Sequence, residues 1–223
     1  MNTYLEKIDN DIAEKNLLKH PFYLAWTRGE LSKEALTDYA RQYYHHVAAF
    51  PTYLSAVHSK CDEQATRKQL LSNLIDEEAG SPSHPDLWLK FAEGLGVVGT
   101  DVRNTEKQPE TKDLIDTFRS VCKHGSTADG LAALYAYESQ IPAICESKID
   151  GLKKHYGFTK SEHYEYFTVH IEADREHSAA EHEMLSRYID NRNFETVKES
   201  VNRVLNVLWE MLSGVCRRHA IAC

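Results

Sequence analysis

From Lys160 to Asp190 the chain contains neither proline nor glycine. Helical geometry turns successive residues by about 100°, so His170, Asp174 and His177 share an arc of roughly 60°. The same face carries Tyr166, Phe167, Ala173, Met184, Leu185 and Tyr188, which marks it for burial. Glu165, Glu172, Arg175, Glu176 and Glu183 form the opposite, wet face. Three ionisable side chains therefore occupy positions where a helix normally places leucine. Unpaired ionisable groups are expensive in a core, so these three need partners. A metal ion is the partner that uses two imidazoles and a carboxylate together.

The remaining sequence reads as helices joined by short turns. It shows no sustained period-two alternation and no Asn-Gly or Asp-Gly hairpin signal. Helices are expected over Thr3 to Lys15, from Pro21 to Arg28, and from Ser32 to Cys61 with a kink at Pro51. Others are expected over Glu63 to Ala79, Pro85 to Gly94 and Asp113 to Lys123. Gly96 to Glu110 reads as a connection. Ser126 and Asp129 cap one long apolar helix reaching Tyr156 with Pro142 inside it, and the last helix spans Asn193 to Arg218. With no internal repeat and no linker long enough to separate units, residues 1–223 are expected to form a single all-α domain.

Testing the other helices for ionisable groups on apolar faces finds three more. Glu138 lies in line with Leu131, Leu134, Tyr135, Ile141, Cys145 and Ile149. Glu77 follows Leu70 and Leu74, one turn before its helix breaks at Gly80-Ser-Pro82. His84 comes just after that break. A straight helix would hold Glu77 and His84 about 10 Å apart along its axis; the break lets His84 fold back. His170 and His177 are also about 10 Å apart along their axis, too far for one ion. Two ions roughly 3.5–4 Å apart, with Glu138 or Asp174 between them, can use all six side chains. Mixed nitrogen and oxygen donors suit iron or manganese, and the lack of thiolates argues against structural zinc. Singly, each residue has an ordinary explanation: a satisfied core histidine, a carboxylate paired with lysine, a helix-end acid. Six together favour a dimetal centre. The paired Glu-x-x-His motifs of ferritin-like proteins are missing, so the scaffold is expected to be a different helical one. His46 also points inward and reads as a core or pocket histidine.

Composition narrows the function. Lys plus Arg total 26 against 34 Asp plus Glu, giving a net charge of −8. An acidic chain without a basic block argues against nucleic acid and against an anionic membrane surface. Five scattered cysteines without a CxxC pair point to a reducing cytoplasm. The residues after Met1 do not form a signal sequence, and no apolar run approaches the roughly 18 residues of a membrane span.

Five segments carry a resemblance. They are Phe22-Tyr23-Leu-Ala-Trp26, Tyr43-Tyr44-His-His-Val-Ala-Ala-Phe-Pro51 and Asn73-Leu-Ile-Asp-Glu77-Glu78. Leu134-Tyr-Ala-Tyr-Glu138-Ser-Gln-Ile-Pro142 and His170-Ile-Glu-Ala-Asp174-Arg-Glu-His177 complete the set. Over Leu5 to Leu208 the chain resembles the family of the chlamydial protein associating with death domains. That family is a branch of the haem-oxygenase-like dimetal oxidases. The chain is more distantly similar to pyrroloquinoline-quinone synthase and thiaminase-type proteins of the same fold.

The resemblance implies a haem-oxygenase-like helical bundle with the metal ligands Glu77, His84, Glu138, His170, Asp174 and His177. It also implies two metal ions, iron with manganese as an option for one, and dioxygen and a reductant as co-substrates. The implied activity is formation of para-aminobenzoate, a folate precursor. Tyr23 would supply the ring, and Lys148 is a candidate amine donor, so the protein would consume itself in one turnover. Without the resemblance, Tyr23 reads as a core tyrosine and Lys148 as a surface lysine with a buried stem. Three other readings remain at this stage: a dimetal oxidase of an external amine or fatty acid, a helical interaction module without catalysis, and a cofactorless oxidase or thiaminase-type hydrolase that does not need Glu138 and His177 as ligands. A homodimer through the apolar last helix is a further expectation, and no motif identifies a protein partner.

Overall fold

The computed structural model describes residues 3–222; Met1, Asn2 and Cys223, the last of the five cysteines, lie outside the described residues. Among the described residues there is helix and turn but no strand. The order is α1 (Thr3–Glu14), α2 (Pro21–Arg28), α3 (Lys33–Lys60), α4 (Gln64–Glu78), α5 (His84–Gly94) and α6 (Gly99–Asn104). It continues with α7 (Pro109–His124), α8 (Thr127–Glu138), α9 (Ile141–His155), α10 (Glu165–Tyr188) and α11 (Phe194–Arg218).

Local chemistry sets the boundaries. The Ser32 hydroxyl accepts from Ala35 N–H to start α3, and Ser126 and Asp129 form a capping box at α8. Pro21 opens α2, where the imidazole of His20 serves as the cap by accepting from Phe22 N–H at 3.0 Å. Gly29, in the left-handed region at φ 71°, closes it. The helix α3 continues through Pro51 without being split.

Three boundaries differ from the sequence expectation. The stretch from Ser126 to Tyr156 is two helices, α8 and α9. Pro142 has no N–H to offer the Glu138 carbonyl, and the turn tightens so that Gln140 N–H bonds Tyr137 O at 3.2 Å. The connection between Gly96 and Glu110 contains α6 and the start of α7. The helix bearing His170 begins at Glu165, after a 3-10 turn over Ser161–His163.

The helix α3 runs through the centre and packs on α4, α5, α6, α7, α8 and α11. Its inward stripe of Tyr39, Tyr43, His46, Phe50, Tyr53, Leu54 and Val57 is fully buried, as the sequence pattern predicts. Burying an aliphatic or aromatic side chain contributes about 1.5–3 kcal/mol, so this stripe fixes how α3 sits. Opposite it, α10 lies across α8 and α9. Most apolar positions of α11 between Val197 and Val215 are buried within the chain itself, while Val207 and Trp209 are half-buried. No described helix is long and apolar enough to cross a membrane.

Candidate metal centre

The buried residues of α10 run Tyr166, Phe167, His170, Asp174, His177, Glu181, Met184, Leu185. The middle four are all metal-ligand types. Three helices complete the site. Glu77 lies in the last turn of α4, His84 begins α5 and Glu138 ends α8, each placed by a chain break close to it.

These side chains gather into two groups. Glu77, His84 and His170 form one, and Glu138, Asp174 and His177 form the other; within each, one donor atom per residue lies within 4.8 Å of the rest. His84 folds back as the break allows, bringing its Nδ1 to 3.0 Å from Glu77 Oε2. His170 Nε2 is 3.8 Å from Glu77 Oε1. His177 Nδ1 lies 3.4 Å from Glu138 Oε1 and 3.6 Å from Asp174 Oδ1. Beside the groups is a small cavity of about 10 Å³ lined by Val47, Phe50, Glu77, Tyr137, Glu138, Tyr166, His170 and Asp174.

Neighbouring groups hold two of the three imidazoles by the far side. His170 Nδ1–H donates to the Tyr166 carbonyl at 2.6 Å, leaving Nε2 to face Glu77. His177 Nε2–H donates to Asp76 at 3.1 Å, leaving Nδ1 to face Glu138 and Asp174. Asn73 donates to both oxygens of Glu138, at 3.0 and 3.3 Å. Imidazoles fixed in this way present a lone pair to a cation.

The donor set fits metal ions. His84 Nδ1, His177 Nδ1 and Asp174 Oδ2 are buried without a hydrogen-bond partner, despite their close neighbours. Atoms that crowd together without hydrogen-bonding one another are arranged around a point between them, and among the described residues no lysine or arginine forms an ion pair with any of the six. Electrostatics point the same way. Burial, with His84 adjacent, holds His170 well below the usual imidazole range. Burial pushes the Asp174 carboxyl well above its usual range. Burial opposes a charge on His177, but Asp174 and Glu138 outweigh it and push that imidazole up to about 11. Facing anions this strong, His177 takes either a proton or a metal ion.

Tyr23 and Lys148 stand apart from the six but together with each other. Lys148 is only 3% exposed rather than at the surface. Its Nζ lies 5.4 Å from the Tyr23 ring centre and donates to Tyr39 OH at 2.6 Å. Tyr39 OH is in turn 3.3 Å from Tyr23 OH. Burial pushes the Tyr23 hydroxyl up and pulls Lys148 down to about 8. Rings in contact connect this chamber to the acids and imidazoles. Centre-to-centre distances are 5.2 Å for Tyr39–Tyr43 and 5.1 Å for Tyr43–Trp88. They are 4.9 Å for Trp88–Tyr166 and 4.0 Å for Tyr166–His170. A second link runs from Tyr43 OH to Tyr137 OH at 2.9 Å, and Tyr137 lines the cavity.

The iron-containing redox enzyme model matches residues 37–209. The chain belongs to that family. It is therefore an oxidoreductase, and its two acid–imidazole groups form a candidate dimetal centre. It is 45% identical to 4-aminobenzoate synthase of Chlamydia pneumoniae over 96% of this chain and 95% of that one. With 4-aminobenzoate synthase of Nitrosomonas europaea the identity is 42% over 96% and 91%. Pyrroloquinoline-quinone synthase of Klebsiella pneumoniae is more distant, at 23% over 92% and 82%. The fold is haem-oxygenase-like: a TenA homologue from Pseudomonas syringae pv. tomato superposes with a TM-score of 0.85 at 16% identity, covering 96% and 93% of the two chains. A haem-oxygenase-like domain from Shewanella denitrificans gives 0.83 at 19% identity over 97% and 93%.

Sequence reasoning missed Glu181, Asp76 and Asn73. Glu181 was detectable: it lies four residues after His177 and seven after Asp174, inside their arc. Asp76 and Asn73 reach the site across helices, and no spacing within the chain signals them.

Proposed function

We propose that the chain is a dimetal, dioxygen-dependent oxidase that forms 4-aminobenzoate from its own Tyr23, with Lys148 as amine donor. Its metal ligands in this reading are Glu77, His84, Glu138, His170, Asp174 and His177. The observation that carries the reading is the size of the cavity beside the two groups. At about 10 Å³ it has room for one water-sized molecule, whereas pockets for small-molecule substrates span about 300–1,000 Å³. Such a space offers little room for an external aromatic amine or a fatty acid. The reading takes the aromatic ring from the protein itself, where Tyr23 lies beside a buried primary amine.

Bound iron or manganese would supply the reduction of dioxygen. The protein's own part follows from geometry. Tyr166 O and Asp76 hold the two imidazoles in one tautomer each. Val47 and Phe50 keep the cavity dry. The row Tyr166, Trp88, Tyr43, Tyr39 allows oxidation of Tyr23 without contact between Tyr23 and any ligand. Lys148 Nζ, held against Tyr39 OH, can give or take a proton there. Its lowered pKa leaves a share of free amine near neutral pH. Loss of the Tyr23 side chain to the product would end the protein's working life after one turnover. The buried free thiols of Cys61, Cys122 and Cys145 suit a reducing cytoplasm.

The test is isotopic. Protein carrying ring-labelled tyrosine, loaded with iron and exposed to reductant and air, should release labelled 4-aminobenzoate. Unlabelled product would move the reaction to an external substrate.

A further inference from the structure

Glu181 is only 1% exposed, and neither of its carboxylate oxygens has a hydrogen-bond donor. It reaches hydrogen-bonding distance of the Glu138 carboxylate. Its strongest electrostatic neighbours are Glu138, Asp174 and the Cys122 thiol, none of them a cation. Acidic side chains crowded together inside a dry core are stabilised by a cation close by. Helix geometry suggests which one. Side chains on a helix lean toward its N-terminus, so Glu181, one turn beyond His177, leans back over the second group. Two divalent ions carry four positive charges. Glu77, Glu138 and Asp174 neutralise three, and the nearby Asp76 side chain is half-exposed, at 52%, where water screens it.

We propose that Glu181 is a fourth carboxylate of the metal centre, turning from Glu138 onto the ion held by Glu138, Asp174 and His177. This rests on the dimetal reading and adds a residue to it. The resulting donor set is four carboxylates and three imidazoles, electrically neutral with two divalent ions. Such neutrality is favourable where no counterion can enter.

Anaerobic titration of the metal-free protein with Co(II), read by bound ions per chain and by visible absorption, tests this. Wild type should take up two ions. Glu181→Gln preserves the shape but cannot supply the charge. It should keep the first ion and bind the second about 10–100-fold more weakly, the range seen for groups that support metal ligands. Metal-free Glu181→Gln should melt no lower than wild type, since the amide can donate to Glu138 from the same position. Unchanged affinity for both ions in Glu181→Gln would overturn the proposal and leave the dimetal centre standing. Wild type that binds no Co(II) would overturn both. A structure of Mn(II)-loaded wild type needs no variant. A Glu181 oxygen about 2.0–2.5 Å from an ion supports the proposal, and a carboxylate still turned to Glu138 refutes it.

Discussion

The amine of Lys148 lies 4.9–5.5 Å from the centres of Tyr23, Tyr39, Tyr43, Trp88 and Phe167. Ring faces attract an ammonium group, while loss of water disfavours it, and burial lowers its pKa from 10.5 to about 8. Between those two values the unfolded chain binds a proton that the folded chain does not, so this lysine makes stability rise with pH across that window. Below pH 8 its cost is full, at most about 3 kcal/mol after conversion of the shift. Lys148→Met should therefore be more stable than wild type in urea at pH 7, with the difference fading between pH 8 and 10.5, and should make no product. A destabilised Lys148→Met would mean that the ring faces outweigh the lost hydration. At Tyr23 the expected separation is between chemistry and structure. Tyr23→Phe loses one 3.3 Å hydrogen bond, worth about 1 kcal/mol, keeps its metal ions and yields no 4-aminobenzoate by chromatography.

Helices α2 and α9 bring that pair together, and their contact is tight. A methyl group at Gly151 would lie 2.6 Å from the Trp26 indole, whose Nε1–H donates to the Lys148 carbonyl at 3.3 Å. Gly151→Ala should cost about 1–3 kcal/mol through overpacking. By shifting α9 against α2 it should lower product yield while metal content stays at the wild-type level. The N-terminus of α2 predicts a pH effect. His20 Nδ1 must be unprotonated to accept from Phe22 N–H, and burial lowers its pKa from 6.5 to about 4. The unfolded chain then binds more protons between those values, so stability falls as pH drops through that window. His20→Asn retains a capping side chain and should shift the acid-unfolding midpoint, followed by circular dichroism, to lower pH. The sequence made the helices legible wherever an apolar stripe ran three turns or more, as in α3, α10 and α11. It obscured the break between α8 and α9 because the stripe from Leu131 to Ile149 continues across it. The six residues of α6 are too few to show a period.

Across the whole molecule, helices far apart in sequence deliver acids and imidazoles to one interior. Five of the six candidate ligands stood out in the sequence because each interrupts the apolar face it sits on, and His84 because it follows the break after Glu77. Lys148 lies on the buried face of α9 between Ile144 and Leu152, but its full burial was not legible. A long lysine stem can lie along such a face with its amine in water, and only the meeting of α2, α3, α5, α9 and α10 closes the amine in. A core holding this many donors without partners should be strained when empty of cations. Saturating divalent metal should therefore raise the melting temperature, and chelation should lower it again. The most direct test is elemental analysis of wild type and Glu138→Ala after anaerobic loading with Fe(II) and removal of free metal. The account predicts about two ions per wild-type chain, as a two-metal site requires, and a clear loss in Glu138→Ala. Wild type without bound iron, or two ions that persist in Glu138→Ala, would contradict it.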